Sequence, residues 1–128
     1  MGVVTIKHRG NFKNFEKFAT NYDRQKLLRI LEGYGREGVN ALRSATPVDS
    51  GLTRDSWGYR ASVSPRSFFL IFENSNLTSQ GTPVAILIQY GHATKDGGFI
   101  TGTDFINPAV RPVFDRIANA IWKEVINP

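Results

Sequence analysis

The sequence predicts an α+β fold: a small antiparallel sheet of about four strands packed against a long central helix and a C-terminal helix. Three observations predict it. Apolar residues recur at helical spacing over about 22–45 and again over about 107–126. Between those stretches, β-branched and aromatic residues cluster in short runs separated by turn residues. The composition, 41% hydrophobic and 21% charged over 128 residues, is that of an ordinary globular domain. That length predicts one domain over 1–128 that buries roughly two-thirds of its unfolded surface. With no Cys, its stability must come from an apolar core rather than from disulfides.

Residues 3–8 (Val3-Val4-Thr5-Ile6-Lys7-His8) read as the first strand. Phe12, Phe15 and Phe18 after Asn11 are spaced like a short amphipathic helix to about residue 20. In the long helix, Leu27, Leu31, Tyr34, Ala41, Leu42 and Ala45 share one face, with Leu28 and Val39 at its margin. Arg29, Arg36 and Arg43 repeat on the opposite face, where Glu32 can bridge Arg29 and Arg36. Gly35 and Gly38 fall on or beside the apolar face, where each costs about 1 kcal/mol relative to Ala. They suit the close approach of another backbone, with a helix kink as the competing explanation.

Thr46-Pro47-Val48-Asp49-Ser50-Gly51 ends that helix as a structural turn carried by Thr46, Pro47, Asp49 and Gly51, in which Asp49 suits a cap for a short helical turn. Residues 56–64 and 67–74 then flank Pro65-Arg66 as a hairpin, and the continuous apolar run Phe68-Phe69-Leu70-Ile71-Phe72 predicts a strand buried on both faces. Val84-Ala85-Ile86-Leu87-Ile88-Gln89-Tyr90 reads as a further strand. Residues 91–104 read as a long, flexible, glycine-rich loop, a type of segment that is uncommon in compact domains unless functional or disordered. Asn107 and Pro108 then supply a cap and first-turn proline for the last helix, whose core face carries Val113, Phe114, Ile117, Ile121 and Val125. Pro112 predicts a kinked first turn. Trp57 and Trp122 read as core or core-edge residues.

The net charge is +5, and all of it lies before residue 61: residues 1–60 hold eleven Lys/Arg against six Asp/Glu, while residues 61–128 hold five of each. A basic half suits a polyanionic partner, nucleic acid or an acidic protein surface. The sequence also predicts neither a membrane-spanning helix nor a secretion signal, since its longest apolar runs are short and no basic segment leads an apolar one at Met1.

Catalytic chemistry finds little support. Without Cys and with only His8 and His92, a Cys-ligated zinc site is excluded and a His-rich one is implausible, so neither metal nor cofactor is expected. Gly97-Gly98-Phe99-Ile100-Thr101-Gly102 lacks the Lys-Ser/Thr pair of a phosphate loop, and no Ser sits in a nucleophile elbow. His92 reads as a loop histidine bonded to backbone. Asp49 and Asp55 read as turn acceptors. Asp96 and Asp104 bracket the glycine-rich loop without calcium-loop spacing.

Two segments carry a family resemblance. One is Ala45-Thr46-Pro47-Val48-Asp49-Ser50-Gly51 followed by Ser56-Trp57. The other is Ile86-Leu87-Ile88-Gln89-Tyr90-Gly91-His92-Ala93-Thr94, continuing through Gly97-Gly98-Phe99-Ile100 and Gly102 to Asp104-Phe105-Ile106-Asn107-Pro108-Ala109. Together they resemble the tail-completion or neck family, minor structural proteins that join head and tail in long-tailed bacteriophages. The order of helix, turn, β block, Tyr-Gly loop and Asn-Pro-Ala helix covers nearly the whole chain. Ala93 departs from the Gly expected in a Gly-His-Gly run. The resemblance implies a non-enzymatic virion protein, found in the host cytoplasm before assembly. It also implies self-assembly into a ring around the DNA channel and stacking on neighbouring head-closure or connector and tail-terminator or tail-tube proteins.

A domain of this length has a radius of gyration of about 14 Å, equivalent to a sphere roughly 36 Å across. Six such spheres in a ring leave a hole of roughly 36 Å, enough for a duplex about 20 Å wide, whereas twelve leave about 100 Å, which slightly favours six. Within this reading the glycine-rich loop is the subunit or partner interface, carried by Gly91, His92, Lys95, Gly97, Gly98, Phe99, Ile100, Gly102 and Asp104, with Phe99 and Ile100 as anchors in the adjacent subunit. The basic surface Arg29, Arg36 and Arg43 then meets an acidic neighbour or makes nonspecific contact with passing double-stranded DNA. The alternative is a nonspecific nucleic-acid-binding module that uses the basic N-terminal half.

Overall fold

Strand β3 (Phe68–Asn74) is the centre of a three-stranded antiparallel sheet, between β1 (Ile6–Arg9) and β2 (Trp57–Val63). In the register, Ile6 lies opposite Phe72 on one side and Trp57 opposite Asn74 on the other, with Val63 opposite Phe68 at the hairpin end. The computed structural model describes residues 6–9, 24–47, 51–64 and 68–126. The expected helix at 11–20, the start of the first strand, Asp49 and the Pro65-Arg66 turn lie outside these residues.

Along β3 the burial alternates. Phe68, Leu70, Phe72 and Asn74 are buried, and Phe69, Ile71 and Glu73 are half-buried. This corrects the expectation of a strand buried on both faces: among the described residues, helices pack on one face of the sheet. Helix α1 (Arg24–Ala45) lies over β2 and β3 and packs along α4 (Ile106–Ile126). Leu27, Leu31 and Leu42 from α1 meet Leu70 and Phe72 from the sheet and Val110, Val113, Ile117 and Ile121 from α4 in one core. Each such side chain, essentially without exposure, contributes roughly 1.5–3 kcal/mol of burial. Phe114 stacks at a tilt on Phe72, their ring centroids 5.9 Å apart.

Gly35 and Gly38 give this packing its closeness. A Cβ on Gly35 would stand 2.7 Å from Tyr59 Cε2, and one on Gly38 would stand 2.5 Å from Phe72 Cε1. Aromatic rings, rather than another backbone, therefore occupy the space the missing side chains leave.

After α1, the buried Thr46 hydroxyl donates to the Leu42 carbonyl at 2.6 Å and accepts the Trp57 indole N–H at 3.0 Å. The motif threonine thus ties the end of the long helix to the first residue of β2. A short helix, α2 (Gly51–Asp55), follows. It is held by Asn74, fully buried, whose Nδ2 donates to the Thr53 carbonyl at 2.7 Å, and by Asn76, whose Nδ2 donates to Thr53 Oγ1 at 2.9 Å.

Two expectations fail in the next segment. Residues Val84–Tyr90 form a helix, α3, rather than a strand, so the sheet has three strands instead of about four. Pro83 opens the helix and Gly91, at φ +79°, closes it with its N–H on the Leu87 carbonyl. Ala85 and Gln89, four residues apart, are its buried positions, which is the spacing of a helical face. The expected flexible loop is a two-stranded antiparallel ribbon, β4 (Gly91–Ala93) and β5 (Phe99–Thr101), closed by a turn in which Thr94 N–H bonds the Gly98 carbonyl at 2.9 Å. Helix α4 begins at Ile106, one residue before the expected cap at Asn107, and runs through the exposed Pro112.

Candidate functional site

The ribbon is built at its root by two glycines. A Cβ on Gly91 would stand 2.7 Å from the Gly102 nitrogen, and a Cβ on Gly102 would stand 2.5 Å from the Gly91 nitrogen and the Gln89 carbonyl oxygen. Backbones touch here, and no side chain fits between them. The Thr103 N–H bonds the Ile88 carbonyl at 2.9 Å and carries the connection back to α3.

Gln89 locks the root to α4. Its Oε1 accepts the N–H groups of Phe105 and Ile106 at 3.0 and 2.9 Å, two donors left free at a helix start. Its Nε2 donates to Asp104 Oδ1 at 2.6 Å, and Asn107 Nδ2 donates to the same oxygen at 3.1 Å. The Asp104 carboxylate, expected at an interface, is exposed and holds these two side-chain amides beside the start of α4. Gln89 was missed as a site residue. Its only signal in the sequence is that it is the one polar side chain in the run Val84–Tyr90 apart from the Tyr90 hydroxyl.

Beyond the root the ribbon faces solvent. Phe99 is 65% exposed, Ile100 51% and Tyr90, at the end of α3, 67%. Phe99 and Ile100, expected as anchors in an adjacent subunit, lie exposed on β5, and Tyr90 adds a third large exposed side chain that the sequence reading did not single out. Lys95, Gly97 and Gly98 lie exposed at the ribbon's tip, where Gly97 takes φ +85°. Asp96 beside them is held below the ordinary carboxylate range by a hydrogen bond from the Thr94 side chain and then by one from its own backbone. His92 is half-buried in β4, and its Nδ1 lacks the backbone partner expected for it.

Arg29, Arg36 and Arg43 are all exposed on α1, as the helical spacing predicts. Arg43 lies 3.5 Å from Asp55 of α2, so part of the stripe is neutralised within the chain. Between α1 and α4 an open groove of about 590 Å3 has Ile30, Gly33, Tyr34 and Ala120 in its walls, with Arg29, Lys123 and the Arg116–Glu37 ion pair at its edges. Sequence reasoning missed this groove because its two walls are far apart in the chain. Among the described residues no group of three or more His, Cys, Asp and Glu is placed to hold a metal ion. No described helix is long and apolar enough to cross a membrane.

In comparisons with known proteins, no family model, no curated protein and no solved structure matches the chain.

Proposed function

We propose that this chain is a structural, non-catalytic virion protein of a long-tailed phage, forming a ring at the head–tail junction around the DNA channel. The observation that carries the reading is the rooted ribbon. Its Tyr-Gly-His and Gly-Gly-Phe-Ile segments belong to the resemblance, and it holds two large apolar side chains, Phe99 and Ile100, in solvent, with Tyr90 exposed beside them at the end of α3. Exposed apolar patches on a soluble chain mark sites of association. In this reading the ribbon contacts adjacent copies, and the ring stacks between a head-closure or connector protein and a tail-terminator or tail-tube protein. Six copies fit a duplex-wide channel more readily than twelve. The exposed Arg29 and Arg36 support a secondary, nonspecific contact with passing DNA. Before assembly the protein resides in the host cytoplasm.

The test is particle assembly in the protein's absence. Electron microscopy of particles made without it should show filled heads and separate tails. Normally joined tails overturn the proposal.

A further inference from the structure

We infer that Asp96-Gly97 at the ribbon tip is a site of backbone isomerisation to isoaspartate, which Thr94 holds in check while the ribbon is folded. The inference is independent of the neck reading.

The first observation is the pair itself. Asp96-Gly97 is the only Asp-Gly step in the 128 residues, and no Asn-Gly step occurs. In such a step a carboxyl group lies next to an amide that no side chain hinders. The Gly97 nitrogen can attack Asp96 Cγ and close a five-membered imide, while the amide proton and the carboxyl hydroxyl leave together as water. Water then adds to one of the two imide carbonyls. Opening on the Cγ side restores aspartate. Opening on the other side leaves isoaspartate, with the main chain running through Cβ and Cγ. The water lost is regained, so composition and mass are unchanged, but the main chain is one carbon longer.

The second observation is that the fold requires this pair to stay as it is. Thr94, Lys95, Asp96 and Gly97 form a β-turn in which the Gly97 N–H bonds the Thr94 carbonyl at 3.2 Å. Gly97 takes φ +85°, in the left-handed region that glycine enters without strain. A side chain that would shield the attacking nitrogen is therefore disfavoured at 97. Asp96 and Gly97 are both exposed, so the water that opens the imide has access.

The third observation is that Thr94 engages both reacting groups. Its carbonyl accepts the N–H of the attacking nitrogen. Its side chain donates to the Asp96 carboxylate and favours the charged form, whereas the imide forms from the neutral carboxyl group, whose hydroxyl can leave as water. A hydrogen bond of ordinary net strength slows a step that must break it about two- to tenfold. The Thr94 N–H also bonds the Gly98 carbonyl at 2.9 Å and closes the turn around the pair. An added main-chain carbon at 96 falls inside that closure, next to the pairing of Ala93 with Phe99. Isomerisation therefore disturbs the end of the ribbon that carries Phe99, and Thr94 guards against it.

Peptide mapping of the full chain tests this, with isoaspartate at 96 quantified by mass spectrometry during incubation at neutral pH and circular dichroism to confirm that each variant is folded. Folded wild type should isomerise most slowly. Thr94→Val should be about two- to tenfold faster, and the wild-type chain unfolded in urea faster still, because neither bond then persists. Thr94→Ser keeps the hydroxyl and should stay at the wild-type rate. Asp96→Glu would need a six-membered ring and should lose the signal from this peptide. A folded chain that isomerises as fast as the unfolded one overturns the protection. Thr94→Val at the wild-type rate, or Thr94→Ser as fast as Thr94→Val, overturns the role of the hydroxyl. An unfolded chain that forms no isoaspartate at 96 overturns the site.

Discussion

Replacing the three glycines of α1 by alanine one at a time should change stability with opposite signs. Gly→Ala inside a helix is worth about 1 kcal/mol in favour of Ala through backbone entropy. At Gly33 nothing opposes that gain, because the new methyl meets no atom within 4 Å. At Gly38 the methyl would stand 2.5 Å from Phe72 Cε1, nearly 1 Å inside ordinary contact. Phe72 has no exposed surface, is paired on both sides within the sheet and touches Phe114, so its ring has nowhere to go. Overpacking of this kind costs about 1–3 kcal/mol, which leaves a net loss of up to about 2 kcal/mol after the helical gain. Gly35 is intermediate, since Tyr59 is only half-buried and can swing outward. With roughly 4 °C of Tm per kcal/mol at this size, Gly38→Ala should melt up to about 8 °C lower and Gly33→Ala up to about 4 °C higher. Urea titration and thermal melting followed by circular dichroism measure both. Equal shifts of one sign at Gly33 and Gly38 refute the reasoning, as does a Gly38→Ala/Phe72→Leu pair that recovers nothing relative to the two single losses added together.

Three further outcomes follow from the polar anchors. Gln89→Ala removes the acceptor for the Phe105 and Ile106 amides and should cost about 1–3 kcal/mol, with faster hydrogen exchange at those two amides as the local readout; unchanged protection there contradicts the capping role. Thr46→Val keeps the shape but leaves the Trp57 indole N–H unpaired in the core, for a loss of about 1–3 kcal/mol and faster exchange of that indole proton, which NMR resolves. Asp96 has a depressed folded-state pKa, so its contribution to stability is present above the unfolded-state value and fades as pH falls through the folded one. Thr94→Val removes the largest cause and should move the Asp96 titration, followed by NMR, back toward the ordinary carboxylate range, and an unmoved midpoint contradicts the assignment.

The two long helices were legible because amphipathic spacing over some twenty residues has few competing explanations, and the buried Leu27, Leu31, Leu42, Val113, Ile117 and Ile121 follow it. The hairpin of β2 and β3 was legible from its turn residues. Residues 84–90 were not, because Val84, Ile86 and Ile88 favour strands locally, and that preference outweighed the boundary signals Pro83 and Gly91. The decisive contact is tertiary: Ala85 and Gln89 turn inward to the core and the start of α4 while Leu87 between them does not, whereas a strand would place all three on one face. The ribbon was misread as a flexible loop for a related reason. Glycine richness is ambiguous in a sequence, since it marks freedom where nothing touches the backbone and necessity where something does. Gly91 and Gly102 are of the second kind, and only their mutual contact shows it. Of the candidate site, Phe99 and Ile100 were legible as apolar residues in a polar setting. Asp104 was legible as a carboxylate but not as the acceptor for the Gln89 and Asn107 side-chain amides.

The ribbon's root explains why its apolar side chains are left over. An isolated two-stranded hairpin is marginal in water, and most hairpins are held by laying one apolar face on the body of the protein. Such packing would consume Phe99 and Ile100. Here position is fixed instead by polar and steric means: the Gly91–Gly102 contact, the Thr103–Ile88 hydrogen bond and the three bonds of Gln89. Because Gln89 also caps α4, the ribbon is set relative to a helix that belongs to the core. Orientation is therefore transmitted from core to ribbon without use of the ribbon's own surface. The residues that hold the ribbon in place are then separate from the apolar ones it exposes. Substitutions at Gly33, Gly38, Thr46 or Gln89 act on stability, while Phe99 and Ile100 stand exposed outside the core.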